Sequence, residues 1–151
     1  MIIRRAKQAD LSAIVELLAN DELGRLRENF KTPLPQLYLN AFDKIHSDQN
    51  QELVVMASKS DSVIGTLQLS FIQYLTYQGG IRAQIEAVRV HENYRNKGIG
   101  QELIEWAIER AKQKGAHVVQ LTTDKKRKSA LKFYEKLGFI ASHEGMKLHL
   151  R

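Results

Sequence analysis

The chain has 151 residues, of which 43% are hydrophobic and 26% are charged, a composition typical of one water-soluble globular domain spanning residues 1–151. It contains no cysteine, which excludes disulfide bonds, thiolate metal sites and cysteine nucleophiles. The formal net charge of +6 favours anionic partners such as phosphates or nucleic acid. No apolar run approaches the roughly 20 residues of a membrane helix, and the first residues do not resemble a signal peptide, so we expect a cytoplasmic protein.

The first half of the chain predicts three strands and two helices. Runs of β-branched residues indicate strands, and apolar residues at helical spacing indicate helices. In chain order, the predicted elements are a strand at 2–6, helices at 10–20 and 36–46, and strands at 53–57 and 63–74. Asp10 is a suitable N-cap for the first helix. Between the helices, Gly24, Pro33 and Pro35 predict a mobile connection.

The second half of the chain predicts four more strands and two more helices. In chain order, they are a strand at 82–90, a helix at 101–114, a strand at 117–122, a helix at 128–137, and strands at 139–142 and 146–150. Gly138 is expected to end the last helix at its C′ position. The final two strands are expected to form a hairpin around Glu144-Gly145. This order predicts an α/β (α+β) fold in which helices cover a mixed sheet.

A basic loop that contains two glycines separates the strand at 82–90 from the long helix at 101–114. Its sequence is Arg95-Asn96-Lys97-Gly98-Ile99-Gly100. The first N–H groups of a helix have no partner within the helix, and the helix dipole adds partial positive charge there. Glycine also lets a ligand approach the backbone closely, so the loop is a candidate phosphate site. On its own, the pattern fits an ordinary strand-to-helix turn equally well.

Three motifs in the same order resemble the GCN5-related N-acetyltransferase (GNAT) superfamily. The loop at 95–100 fits the Arg/Gln-x-x-Gly-x-Gly/Ala motif of that family, and Glu86-Ala87-Val88-Arg89-Val90 fits the strand before it. Residues 130–139, Ala-Leu-Lys-Phe-Tyr-Glu-Lys-Leu-Gly-Phe, fit the signature of its last helix. The resemblance implies a mostly antiparallel sheet of about seven strands and about four flanking helices.

The resemblance further implies acetyl-coenzyme A as the acetyl donor and no metal. Backbone N–H groups of the loop would hold the pyrophosphate, and the strand before it would pair with the pantetheine arm. The implied coenzyme-binding residues are Val88, Arg89, Val90, Arg95, Asn96, Lys97, Gly98, Ile99, Gly100, Gln101 and Ser129. Many relatives have asparagine where this chain has Arg127, which puts one contact to the arm in question. The basic run Lys125–Lys128 is a candidate to contact a coenzyme phosphate, and the alternative is an ordinary solvated charge run.

Two residues are the implied catalytic groups. Glu86 is the candidate base that takes a proton from the acceptor amine, and strand alternation places it on the same face as Val88. The alternative for Glu86 is a salt bridge to Arg82 or Arg89. Tyr134 is the candidate acid for the departing thiolate, although its helical spacing also fits a core residue.

The expected function is transfer of acetyl to a primary amine of a small molecule, polyamine-, amino-acid- or aminoglycoside-like. Asp21, Glu22 and Glu28 are candidates to attract a cationic amine. Alternatives are a protein or peptide acceptor, a non-catalytic acetyl-coenzyme A sensor, or a nucleic-acid-binding regulator. Nucleic acid is not the expected partner, because no helix-turn-helix or aromatic-basic surface is evident. A homodimer is one assembly that the resemblance implies.

Overall fold

The computed structural model of the protein describes residues 1–151. Residues 1–120 and 121–151 form two compact units, and each is described by itself. The interpretation of the whole chain as one domain stays a prediction. None of the helices has the length and hydrophobicity required to cross a lipid bilayer.

The first unit contains a five-stranded sheet whose strands lie in sequence order. Neighbouring strands are antiparallel except for the last pair, β4 and β5, which is parallel. The strands are β1 (Ile2–Arg5), β2 (Gln51–Ala57), β3 (Val63–Gln73), β4 (Ile81–Val90) and β5 (Ala116–Gln120). The sequence predicts all five strands to within a few residues, because their β-branched runs are strong local signals.

Four helices belong to the first unit, and a fifth belongs to the second. They are α1 (Leu11–Ala19), α2 (Gln36–Ser47), α3 (Thr76–Gly79), α4 (Ile99–Gln113) and α5 (Ala130–Lys136). The predictions for α1, α2, α4 and α5 are confirmed. The one-turn α3 was not predicted, because Tyr77 and Gln78 adopt left-handed backbone angles there and the segment has no helical periodicity.

The helices of the first unit pack on opposite faces of the sheet. Val55 of β2 belongs to a buried cluster with Ile14 of α1 and Phe42 of α2. The next residue, Met56, pairs with Gly65 of β3. The face of the sheet at Gly65 lies against α4, since a Cβ added to this glycine would be 3.1 Å from the Leu103 side chain. Successive residues of a strand point to opposite faces, so α1 and α2 cover one face and α4 covers the other.

A buried ion pair fixes the start of the chain against the segment that leads into α1. The two terminal guanidinium nitrogens of Arg4, Nη1 and Nη2, donate to the Asp10 carboxylate at 2.7 and 3.0 Å, and the backbone N–H of Lys7 donates to it at 2.7 Å. Only 7% of Asp10 is exposed. These hydrogen bonds, that of Arg4 above all, hold the pKa of Asp10 below its ordinary value.

We expect Asp10→Asn to lower the free energy of unfolding at pH 7 by about 2 kcal/mol, because the change leaves Arg4 poorly paired. Because the folded pKa is lowered, the stabilisation is present above the unfolded pKa of about 3.9 and is lost as pH falls through the folded value. The difference between variant and parent should therefore shrink toward pH 3 in urea titrations. Asp61→Asn is the control, because Asp61 bonds the same arginine but its side chain is 63% exposed. Equal losses in the two variants at pH 7 would contradict the prediction.

The second unit contains α5, and the residues on either side of this helix have no regular secondary structure. Gly138 follows the helix with a φ of 98°, as predicted for the C′ position. The predicted strands at 139–142 and 146–150 are not formed, so the sheet has five strands and not about seven. A strand needs hydrogen bonds to a neighbouring strand and a surface to cover its apolar side. The alternating Met146, Leu148 and Leu150 indicated such a strand, but they are 94%, 87% and 93% exposed.

Candidate active site

A β-bulge interrupts β4 directly after Glu86. Gln68 of β3 pairs with Glu86, whereas Thr66 pairs with Arg89, so Leu67 alone faces Ala87 and Val88. Ala87 has a φ of 56°, a left-handed conformation that is uncommon for a residue with a Cβ. The simple alternation used to relate Glu86 to Val88 therefore does not hold across this point. No local sequence signal identifies the bulge.

We expect Ala87→Val to lower the free energy of unfolding by about 2 kcal/mol, because a β-branched side chain tolerates a left-handed backbone poorly. Turnover should fall as well, because relief of that strain would move the backbone that follows Glu86. Ala87→Gly is the control, since glycine adopts this φ freely and should retain both properties. Chemical denaturation and steady-state kinetics measure the two effects. Equal behaviour of the valine and glycine variants would show that the left-handed angle has no consequence.

Beside the bulge, β4 separates from β5. The parallel pairing joins residues 81–84 of β4 to β5, and it stops there. Beyond this point, β4 continues to Val90 with β3 as its one strand neighbour in the sheet. The N–H of His91 donates to the carbonyl of Ile64 of β3. Because the backbone groups of successive strand residues point to opposite sides, the N–H and carbonyl of Val90 point away from β3, toward the gap. An extended ligand that carries amide groups can therefore pair with β4 in this gap.

Two arginines predicted to bind the coenzyme lie along the gap. Arg89 Nη1 donates to the carbonyl of Val88 at 2.9 Å, and Arg95 Nε donates to the carbonyl of Val90 at 3.2 Å. Arg89 also forms an ion pair with Asp21, at 3.6 Å. Asp21, a predicted attractant for the amine, is thus engaged with a residue of β4.

The loop at 95–100 leads from β4 into the first turn of α4. Asn96 and Gly98 both have left-handed backbone angles, with φ of 60° and 82°. Gly98 is the N-cap of α4. The backbone N–H of Glu102 donates to the carbonyl of Gly98 at 3.0 Å, which is the first hydrogen bond within the helix. The amides of residues 98–101 are the four that a helix leaves without an internal partner. The loop therefore has the donors and the dipole that a phosphate site requires.

Side chains in this loop contribute less than its backbone. Ile99 is 2% exposed and belongs to the core, so only its N–H can face a ligand. Lys97 folds back, with Nζ donating to the carbonyl of Asn93 at 3.1 Å and lying 5.4 Å from the Tyr94 ring centroid. Gln101 bonds to Glu105 one helical turn later, at 2.7 Å. The loop therefore offers an anion mainly its backbone amides.

Glu86 lies beside the gap and is exposed. Its carboxylate accepts a hydrogen bond from Gln84 Nε2 at 3.1 Å, and Gln84 Oε1 accepts from Gln120 Nε2 at 2.8 Å. Of the two predicted salt-bridge partners, Arg82 instead donates to Thr76 and lies over the Tyr74 ring, and Arg89 pairs with Asp21. Sequence reasoning missed Gln84 and Gln120, whose approach depends on the pairing of β4 with β5.

The two remaining site candidates belong to the second unit. Ser129 is the N-cap of α5, and Tyr134 lies in the middle of that helix. The Tyr134 ring packs edge-on against Phe133 and Phe139, with centroids 5.1 and 5.9 Å away. The expected roles of both residues stay predictions.

Known proteins resemble this chain, some over most of its length and others over part of it. The family model for the acetyltransferase (GNAT) family matches residues 12–139. Glucosamine 6-phosphate N-acetyltransferase of Trypanosoma brucei brucei is 32% identical over 149 residues, which cover 98% of this chain and 95% of that enzyme. Aminoalkylphosphonate N-acetyltransferase of Salmonella typhimurium is 33% identical over 88 residues, so the match spans 58% of this chain and about half, 56%, of that enzyme.

A solved structure from Bacillus halodurans C-125, described as a transcriptional regulator, is 53% identical over 99% of both chains, with a TM-score of 0.96. The family match confirms the fold class and the enzyme class predicted from the sequence, and the family uses acetyl-coenzyme A. The chain belongs to the acetyltransferase (GNAT) family and is an N-acetyltransferase.

Proposed function

We propose that this N-acetyltransferase moves an acetyl group directly from acetyl-coenzyme A to a primary amine of a small molecule. The observation that carries the proposal is the gap beside β4, which lies between the exposed carboxylate of Glu86 and the first turn of α4. A thioester held along β4, with its pyrophosphate on the amides of residues 98–101, would bring its reacting end toward Glu86. The relatives named above act on small amines, which supports the same class of acceptor.

The proposed reaction needs three proton or charge assignments. Glu86 accepts a proton from the ammonium form of the acceptor, directly or through water, and the amine then attacks the thioester carbonyl. The N–H of Val88, next to the bulge, is the proposed donor to the developing oxyanion. As the C–N bond forms and the C–S bond breaks, the attacking nitrogen releases its second proton to water, and the thiolate takes a proton from Tyr134, which recovers it from solvent. Tyr134 is assigned the role of acid because of its position in the family signature at residues 130–139.

The direct test is acetyl-coenzyme A consumption measured against a panel of amino sugars, polyamines, amino acids, aminoglycosides and peptides. We expect turnover with at least one small amine and a product one acetyl group heavier by mass spectrometry. Turnover with peptides alone would favour the protein acceptor alternative. Tight coenzyme binding with no acetylated product would contradict the proposal and favour a sensor.

Tyr134→Phe should slow turnover about 10- to 100-fold, because the departing thiolate loses its acid. Phenylalanine retains the ring contacts with Phe133 and Phe139, so the melting temperature should stay within a few degrees. Tyr77→Phe is the control, since Tyr77 is 74% exposed and lies in the turn after β3. Unchanged turnover in Tyr134→Phe would reduce Tyr134 to a packing residue.

A regulatory function is the second candidate, because the Bacillus halodurans protein is described as a transcriptional regulator. Residues 124–136 include six basic and two acidic side chains, and this excess of positive charge would favour binding of a polyanion such as DNA. The test is fluorescence anisotropy with labelled duplex DNA at 50 and 200 mM salt. Binding that persists with sequence preference at 200 mM salt would support this candidate, and loss of all binding would remove it.

A further inference from the structure

We propose that a row of amide and hydroxyl side chains beside Glu86 forms the floor of the acceptor site and selects a primary amine on a hydroxyl-rich skeleton, such as an amino sugar. We call this row the amide floor, and its members are Gln51, Gln68, Ser70, Gln84 and Gln120. The inference rests on the proposed function, because it takes Glu86 as the group that the amine approaches.

The strand register places the amide floor on a single face of the sheet. Four members are directly paired neighbours across β2, β3, β4 and β5, in the order Gln51, Ser70, Gln84 and Gln120. Gln68 of β3 pairs with Glu86 of β4. Gln68 lies two residues before Ser70 on β3, and Glu86 lies two residues after Gln84 on β4. Residues two apart share a face, so Glu86 stands on the same face as the floor. An amine that reaches Glu86 therefore lies over or beside these amides.

Hydrogen bonds hold the amide floor in place and still leave it able to bind. Gln51 Oε1 accepts from Gln68 Nε2 at 3.0 Å and from Ser70 Oγ at 2.7 Å. Gln84 connects Gln120 to Glu86 through the two ends of its amide. All five floor residues are half-buried, so they reach solvent. Each glutamine side chain has four hydrogen-bonding positions, more than these contacts use, and hydroxyl groups of a ligand can donate to and accept from the remaining ones.

The charges on and near the amide floor favour a ligand with one ammonium group. Glu86 is the one carboxylate in this part of the face, beside five neutral side chains. Of the three acids predicted to attract the amine, Asp21 pairs with Arg89, and Glu28 accepts a hydrogen bond from the Tyr38 hydroxyl at 2.9 Å. The third, Glu22, is exposed on the connection between α1 and α2. A polyamine would set further ammonium groups over neutral amides, where they lose hydration without an opposite charge. Hydroxyl groups also lose hydration there, but the amides replace the hydrogen bonds that water had made.

The test compares acceptors that share a primary amine and differ in their hydroxyl groups. Glucosamine and glucosamine 6-phosphate carry several hydroxyl groups, cyclohexylamine carries none, and spermidine is a polycation. We expect kcat/KM for one of the amino sugars to exceed that for cyclohexylamine and spermidine by about 100-fold or more, because unpaired floor amides penalise an acceptor that lacks hydroxyl groups. Gln51→Leu should lower the amino sugar value about tenfold, with coenzyme A affinity unchanged.

Two further variants separate recognition from loss of folding. Ser70→Ala removes a smaller group from the floor and should lower kcat/KM about threefold to tenfold at an unchanged melting temperature. Gln36→Leu is the matched control, since Gln36 also donates an amide hydrogen bond but lies exposed on α2. Preference for cyclohexylamine or spermidine, or an amino sugar rate that Gln51→Leu and Ser70→Ala leave unchanged, would overturn the inference and leave the proposed function intact. Failure of every amine in the panel would overturn the proposed function itself.

Discussion

Gly98→Val is expected to weaken coenzyme A binding by about 100-fold or more, equivalent to about 2.7 kcal/mol. A Cβ at Gly98 would meet no atom of the protein within 4 Å, so the new side chain would project into open space beside the first turn of α4. That space is where a phosphate must approach to reach the amides of residues 98–101. The φ of 82° is also unsuited to valine, so the amides themselves would shift.

Gly115→Val is a closely matched control at the other end of the same helix. Gly115 follows α4, has a φ of 76°, and likewise has no protein atom within 4 Å of an added Cβ. Both variants should lose a similar amount of stability, about 1–2 kcal/mol, because both place valine in a left-handed conformation. Isothermal titration calorimetry should show lost coenzyme affinity in Gly98→Val alone.

Donor truncation identifies which part of the coenzyme the loop holds. S-acetylpantetheine has the thioester and the arm but no pyrophosphate, so its kcat/KM should fall less than about threefold in Gly98→Val, because it lacks the phosphates that the helix N-terminus holds. Equal losses with both donors would mean that the variant damages the gap beside β4. Unchanged coenzyme affinity in Gly98→Val would refute the phosphate loop.

The accuracy of the sequence predictions follows how local each signal is. The loop at 95–100 could be predicted because its glycines, its basic residues and the amphipathic helix behind it are contiguous in the chain. The bulge at Ala87 could not, because alanine has no preference for a positive φ and the angle is imposed by the pairing of β4 with β3. Predictions from alternation alone are likewise weak for short segments. Residues 146–150 alternate as a strand would, but no ladder forms.

The polar surroundings of Glu86 also depend on contacts that are distant in the chain. Gln84 and Gln120 are 36 residues apart and meet through parallel pairing, which local sequence patterns do not reveal. Gln51 reaches Gln68 and Ser70 in the same way, across an antiparallel pair. Glutamine in a strand is a weak functional signal, so sequence reasoning singled out the carboxylate and overlooked the amides around it. The register of the sheet converts five separate residues into one surface.

Glu86→Gln should reduce kcat by about 100- to 1,000-fold, because the acceptor amine loses the group that takes its proton. The substitution is nearly isosteric, and the new amide oxygen can still accept the hydrogen bond from Gln84 Nε2 that now measures 3.1 Å. Coenzyme affinity should stay within about twofold, since the pyrophosphate site lies at the other end of the gap. Steady-state kinetics and calorimetry on the same preparation separate these effects.

The pH dependence and a second carboxylate complete the test of Glu86. Without a base, reaction depends on amine that solvent has already deprotonated, so the rate deficit of Glu86→Gln should narrow as the pH approaches the pKa of the acceptor amine. Glu92→Gln is the control, because Glu92 is an exposed carboxylate in the turn between β4 and α4 and should give parental kinetics at every pH. If Glu86→Gln and Glu92→Gln retain equal rates across the pH range, the proton is taken by another group or by water, and the carboxylate on β4 only orients Gln84.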